Sequence, residues 1–509
     1  MSGSSRVKNS KTNLIYGMFS QSLSIILNFV VRVVFIKFMS ASYLGINGLF
    51  SNVLSILSLS ELGFGNAMVY NLYKPLALKD EEKIKSLMSF YSKVYKIIGL
   101  VVAVLGLILI PFLKYIIKDI DSVQNVYIIY VLFLVDSAGS YFFTYKRAIL
   151  SADQKEYIAS KFRFLFVCIR SVCQILMIIV FKQFIPYLIV KIVCTILENF
   201  SISGKVTRLY PYLKEEAKAL DNKTITSMKD DVSALMLSKI ANIALHGTDN
   251  IIISTFVGLG AVGILSNYTL ISSSLTTILS IVSSAILGSL GNYIATENLE
   301  SQYIMFKKID YMYFNIYAFC FLCMFNLYNP FINLFFGKEY LFELSIVFVF
   351  CLNFLLEGLL QSFWNFRNTM GLFTQGRYRP VFSAVINIVF SIVLANYFGI
   401  IGVLIGTTLS RVLVNVWYDP YIIFKHGLKR SPKKYFMNYI YKLVLLFLFT
   451  FINFIITNFI FDGIDNIIKF FCLVIITVFS SIIMLILPFR KSEEFKYFKN
   501  LILNVIKHN

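Results

Sequence analysis

At least eleven ionisable side chains stand inside long apolar runs of this sequence, among them Arg32, Glu61, Asp136, Arg163, Arg170, Lys191, Glu198, Lys239, Asp249, Glu357 and Arg411. An ionised group at the centre of a bilayer costs about 2.5–3.5 kcal/mol on insertion scales. Such groups therefore line water, pair with one another, or do both. The bases among them, Arg32, Arg163, Arg170, Lys191, Lys239 and Arg411, suit an anion. Arginine offers phosphate a planar fork of donors and lysine a point charge. The carboxylates Glu61, Asp136, Glu198, Asp249 and Glu357 read as counter-ions that orient the bases, with ion coupling as the alternative role. His246 is the only histidine in an apolar run. It fits either a hydrogen-bonded cavity residue or a proton-coupling group.

Spacing groups these residues. Gly17, Gln21, Ser24, Asn28 and Arg32 recur at helical intervals and share one face. The same holds for Arg163, Arg170 and Gln174, for Lys191 and Glu198, and for Lys239, Asn242, His246 and Asp249. Asn353, Glu357, Gln361 and Asn368, and then Thr408, Arg411 and Asn415, form two further stripes. Bundled together, such faces predict a polar, mainly cationic chamber. Glu61 is expected at the mouth of that chamber, with Gly63 and Gly65 letting its helix bend or pack closely.

The elements that must carry these stripes are membrane helices. The chain has 509 residues, 58% hydrophobic and 15% charged, against about 45–50% apolar in ordinary soluble domains. Its apolar runs reach the roughly 20 residues a helix needs to cross hydrocarbon and lack the alternation of a β-barrel strand. Fourteen spans are expected: 13–38, 44–72, 87–112, 124–145, 157–181, 185–208, 230–257, 260–293, 304–328, 342–366, 379–397, 400–424, 437–460 and 465–489. The first is too long for the core of a signal peptide and lacks a small-residue cleavage site. The net charge is +20. Its basic residues are scattered through short loops and form no compact nucleic-acid patch. With both termini cytoplasmic, these basic loops fall on the inner side, as the positive-inside rule requires.

The two halves resemble each other. "YLGINGLFSN" at 43–52 matches "AVGILSNYTL" at 261–270, "IPFLKYI" at 110–116 matches "NPFINLF" at 329–335, and "FLVD" at 133–136 matches "FLLE" at 354–357. All three pairs share an offset of about 218–221 residues. The expected fold is thus all-α and polytopic, two six-helix bundles in pseudo-twofold repeat plus two further C-terminal helices. Its parts are a bundle over 1–208, a cytoplasmic linker over 209–229, a bundle over 230–425, helices 13 and 14 over 436–489, and a basic amphipathic tail over 490–509. In the tail Phe495, Phe498, Ile502, Val505 and Ile506 share a face, as in an interfacial helix. The seven cysteines lie in apolar runs and read as small hydrophobes. Cys320 and Cys323 have no further ligands nearby to make a metal site. No Gly-rich phosphate loop, zinc signature or nucleophile–base spacing is present, so neither an enzyme nor a cofactor is expected.

"KNSKTNLIYGMFSQ" at 8–21, "YLGI" at 43–46, "SLSELGFGNAMVYNLYKPLALKDEEKIKSLM" at 58–88 and "GTDNIIIS" at 247–254 resemble Wzx-type polysaccharide flippases. These belong to the multidrug/oligosaccharidyl-lipid/polysaccharide (MOP) exporter superfamily, and the likeness covers nearly the whole chain. It implies a MATE-like fold whose bundles open alternately. It also implies a job: moving an undecaprenyl-diphosphate-linked oligosaccharide across the bacterial cell membrane for capsule or exopolysaccharide synthesis. The implied partners are that lipid-linked substrate, membrane lipid, a coupling ion (sodium or proton) and a polymerase of the same pathway. A related peptidoglycan-precursor flippase uses arginines on its first, second and eighth helices. Arg32 matches the first, while spans 2 and 8 offer none, which leaves Arg163, Arg170, Lys239 and Arg411 for that work. A diphosphate crossing with about two negative charges would gain roughly 4–5 kcal/mol from a 100 mV inside-negative potential. The alternatives are a MATE-like drug/cation antiporter, which would want an acidic chamber, and a membrane polysaccharide polymerase, which would want a long outer loop.

Overall fold

The computed structural model describes residues 3–58, 64–221, 225–226, 247–372, 374–460 and 467–508. Every regular element among them is helical, and twelve helices are long and apolar enough to cross a membrane. The protein is an all-α, multi-pass membrane protein. It divides into two compact units, residues 1–266 and 267–509.

In the first unit, α1 (Gly3–Phe38), α2 (Ala41–Leu57), α3 (Phe64–Leu78), α4 (Glu81–Leu109) and the short α5 (Leu113–Ile116) are followed by α6 (Val126–Thr144), α7 (Arg147–Ala152), α8 (Glu156–Phe181) and α9 (Phe184–Leu209). Then come α10 (Asp249–Phe256) and the start of α11 (Leu259–Thr296). The expected second span is covered by α2 and α3, and residues 59–63 between them, Glu61 and Gly63 included, lie outside the described residues. Most of the seventh span, with Lys239, Asn242 and His246, lies outside them too. The α4 helix begins earlier than hydropathy suggests. Asp80 caps it by accepting from the Lys83 amide at 2.9 Å, and Glu81 and Glu82 sit in the first turn, where carboxylates favour the helix dipole. The segment after α9 turns back onto that same end of α4. Lys85 meets Glu215 at 2.9 Å and Lys83 meets Asp221 at 2.7 Å.

The start of α11 crosses α2 at very close range. A Cβ on Gly45 would collide with the Leu259 carbonyl, and a Cβ on Gly263 with the Ala41 carbonyl. Gly45 and Gly263 are the matching glycines of the 43–52 and 261–270 segments, and Ala41 and Leu259 each lie one turn before one of them. The contact is therefore reciprocal: each repeat presents its glycine to the first residue of the other's helix. Small residues of this kind let membrane helices approach backbone to backbone.

The second unit contains the rest of α11, then α12 (Leu299–Phe336), α13 (Leu344–Leu359), α14 (Gln361–Thr369), α15 (Arg379–Phe398), α16 (Ile400–Ser410), α17 (Val416–Ile422), α18 (Lys433–Ile460), α19 (Ile467–Ile486) and α20 (Glu493–His508). Two π-helical turns, Arg411–Asn415 and Ile423–Gly427, flank α17. Hydrogen bonds between small polar side chains join α15 to α16: Ser383 to Ser410 at 2.8 Å and Asn387 to Thr407 at 2.9 Å. Gly402 and Gly406 bring the two backbones together there. Asn453 on α18 donates to Ser481 on α19 at 3.1 Å. With no water in hydrocarbon to satisfy such groups, they act as glue between helices. The tail helix α20 rests on α12, where Phe498 stacks on Tyr311 and Lys308 lies 3.8 Å from the Tyr497 ring centroid. The side chains of Ile502, Val505 and Ile506 lie outside the described residues.

Candidate functional site

In the first unit α1 and α8 pack along their length. Near their start, Asn13 donates to the Gln154 carbonyl at 2.9 Å and accepts from the Tyr157 amide at 2.7 Å, which pins α1 to the start of α8. Above that, Phe19 stacks on Phe164 at 5.5 Å. Higher still, the two stripes meet. Arg32 is half-buried and donates to the Ser266 hydroxyl at 2.7 Å, next to the α2–α11 crossing. Gln174 on α8 is buried and donates to the Tyr187 carbonyl of α9 at 3.4 Å. The Tyr187 phenol lies in the field of both Arg32 and Arg170. Phe35, Tyr43, Phe184 and Tyr187 close over this place, with neighbouring ring centroids 5.3–5.7 Å apart. Arg170 is half-buried, whereas Arg163, two turns away, is exposed. Neither forms an ion pair among the described residues. Asn28 is exposed and Gln21 half-exposed on the α1 face that leads up to Arg32.

Lys191 and Arg411 spend their charge locally. Lys191 on α9 pairs with Asp136 on α6 at 3.2 Å and lies 4.6 Å from the Phe133 ring centroid. Two turns on, Glu198 pairs with Arg147 of α7 at 2.6 Å. These are rungs that tie α9 to its neighbours. In the second unit Arg411 opens its π-turn, donates to the Asn353 carbonyl, and pairs with Glu357 at 2.7 Å. Thr408 donates to the Asn353 side-chain oxygen at 3.1 Å. Asp249 sits half-buried in the first turn of α10 and Gly65 in the first turn of α3. The structure thus places Arg32 and Arg170 half-buried on the packed helices α1 and α8, and holds Lys191, Glu198, Arg411, Glu357 and Asp136 in ion pairs.

The rung is open to a direct check. Lys191→Ala leaves Asp136 uncompensated and should lower unfolding stability by about 1–3 kcal/mol. Removing Asp136 as well should return most of that loss. A thermodynamic cycle over the two single variants and the double measures the coupling, which should be absent if the 3.2 Å contact contributes nothing.

No family model and no curated protein matches this sequence. Solved structures do. A structure of the lipid II flippase MurJ in an inward closed conformation covers 94% of this chain and 99% of its own, with TM-score 0.69 and 15% identity. An inward-facing multidrug resistance MATE family transporter of the MOP superfamily covers 80% of this chain and 95% of its own, with TM-score 0.61 and 14% identity. A Vibrio cholerae MATE transporter covers 84% and 99%, with TM-score 0.52 and 11% identity. This chain has the fold shared by MurJ and the MATE transporters.

Within that fold, two clusters were not foreseen from the sequence. Asp419, only 1% exposed, is clasped by Arg379, approached by Arg367 at 4.0 Å and hydrogen-bonded by the Trp364 indole at 3.2 Å. Asp310 on α12 accepts from Lys442 on α18 at 3.0 Å and from Ser362 at 3.3 Å. Arg367 and Arg379 stand at the ends of apolar runs. The available signals were Asp419 inside an apolar run just before Pro420, and Lys442 inside span 13.

Proposed function

We propose that this protein is a flippase that carries an undecaprenyl-diphosphate-linked oligosaccharide repeat unit from the cytoplasmic to the outer leaflet of a bacterial plasma membrane. It does so by alternating access, with both termini cytoplasmic. The observation that carries this reading is a pair of half-buried arginines, Arg32 on α1 and Arg170 on α8, carried by two helices that pack along their length inside apolar spans. A basic pair kept in such a place favours an anionic group, and guanidinium forks suit a diphosphate. An organic-cation antiporter would need an acidic counterpart to its cargo. Of the candidate carboxylates among the described residues, three of four, Asp136, Glu198 and Glu357, are instead held by Lys191, Arg147 and Arg411. The sequence likeness to Wzx-type flippases and the fold shared with MurJ point the same way.

Arg170→Ala should slow export roughly 10- to 100-fold, the loss expected when one charge-assisted contact to a phosphate disappears, while the protein still reaches the membrane. The measurement is the amount of lipid-linked repeat units held on the cytoplasmic leaflet in cells carrying the variant as their only copy. Wild-type leaflet distribution in the variant would remove the basic pair from the mechanism. Normal distribution in cells lacking the protein altogether would end the flippase reading.

A further inference from the structure

At the end of the first unit where α4 starts, a second basic feature stands apart from the Arg32–Arg170 site. The start of α4, the turn between α6 and α7, and the segment after α9 enclose a cavity of ≈ 410 Å³. Lys93 and Lys96 reach it from one side of α4, with Ser92 beside them; Tyr145 and Lys146 come from the turn, and Lys214 from the segment after α9. The carboxylates on its wall do not balance these charges. Glu215 is already bound to Lys85, which Glu82 also holds at 2.5 Å, and Lys218 lies 3.7 Å from Glu82, so that group of two acids and two bases is neutral as a whole. Glu216 alone remains against four lysines. Among the described residues Lys93, Lys96 and Lys146 make no ion pair. Lys146 is half-buried and its hydrogen bond goes to the Thr207 hydroxyl at 3.0 Å. Burial of this ammonium lowers its pKa.

The level of the cavity is also defined. The exposed apolar side of α4 begins at Ile97 and continues through Leu100, Val104 and Ile108. Lys93 and Lys96 stand just before that belt, and Tyr145 and Lys146 just after the last residue of α6. The cavity therefore opens where acyl chains give way to headgroups, the level to which lysines extend their ammonium groups. Its volume suits a small ligand. Several point charges and hydroxyls around one space match an anion with oxygens on every side.

We propose that this cavity binds a phosphate group at the membrane surface. The group could arrive on an anionic phospholipid or as a soluble phosphate, and the site is independent of the transport reading. The test uses the full chain in detergent, with Lys96→Gln, Lys146→Gln and the pair combined. Lys114→Gln, outside the cavity, serves as control. Native mass spectrometry reads retained phosphatidylglycerol against phosphatidylcholine. A thermal melt reads protection by pyrophosphate at fixed ionic strength, and circular dichroism confirms that each variant is folded. Because Lys96 is exposed, its variant keeps the question open should Lys146→Gln fail to fold. Phosphatidylglycerol retained by the wild type and reduced roughly tenfold in the double variant assigns the site to a lipid headgroup. Pyrophosphate protection lost in the variants, with lipid retention unchanged, assigns it to a soluble phosphate. Equal lipid retention and equal protection across wild type, variants and control overturns the proposal.

Discussion

Asp419→Ala should destabilise the second unit by about 3–5 kcal/mol, the usual cost of removing one partner from a buried ionic cluster. The carboxylate is 1% exposed, while the side chains of Arg379 and Arg367 are 11% and 16% exposed. Without Asp419, two guanidinium groups are left in a space with little water. Their attraction to the acid now offsets both that desolvation and their mutual repulsion. The same logic predicts a rescue. Replacing Asp419, Arg367 and Arg379 together by apolar residues of similar volume should recover most of the loss, because the cluster's net worth is small although each member's removal is expensive. The chain supplies its own reporter. It has two tryptophans, and Trp364 donates to Asp419 while lying 6.0 Å from the Arg379 guanidinium carbon. Trp417 is half exposed. In Asp419→Ala the Trp364 emission should shift, and the thermal unfolding midpoint followed by that emission should fall. A midpoint equal to wild type would show that the clasp holds nothing.

That cluster marks the limit of what the sequence disclosed. Spans were legible because a bilayer imposes a length and a hydropathy that any window detects. The stripes on α1 and α8 were legible because helical period puts Gln21, Asn28 and Arg32, and Arg170 and Gln174, on single faces. Whether a base is committed to an acid was not legible, since that depends on which helix lies opposite. Lys191 and Arg170 look alike in the sequence; one meets Asp136 across a helix boundary and the other makes no ion pair among the described residues. Likewise Arg367 and Arg379 stand at the edges of apolar runs, where hydropathy cannot distinguish a solvated loop from a buried clasp. Helix interruptions were equally hidden. The π-turn at Arg411 carries no proline or glycine to announce it, and the break of span 10 at Leu360 falls between Glu357 and Gln361, whose four-residue spacing reads as one continuous helical face.

The internal repeat was readable as letters, and its physical use emerges only where Gly45 and Gly263 meet. Substituting either should have effects beyond local packing, because each faces a backbone carbonyl that cannot rotate away. Gly45→Val or Gly263→Val must push α2 and the start of α11 apart. Inserted volume in a packed interior costs about 1–3 kcal/mol where the surroundings can adjust, and here a whole helix has to move. The displacement would reach the basic pair. Ser266, which accepts from Arg32, is one turn beyond Gly263, and Tyr43, which packs on Phe184 over the Arg32–Tyr187 region, is two residues before Gly45. Gly→Ala should therefore weaken export and Gly→Val should abolish it, at both positions and to a similar degree, since the contact is reciprocal. Gly17→Ala and Gly139→Ala are the controls: an added Cβ at either meets nothing within 4 Å, and both should behave as wild type. Unfolding midpoints and leaflet distribution of lipid-linked repeat units, measured on the same variants, decide the matter. Should Gly45→Val or Gly263→Val prove as active and as stable as Gly17→Ala, the close crossing has no part in shaping the site.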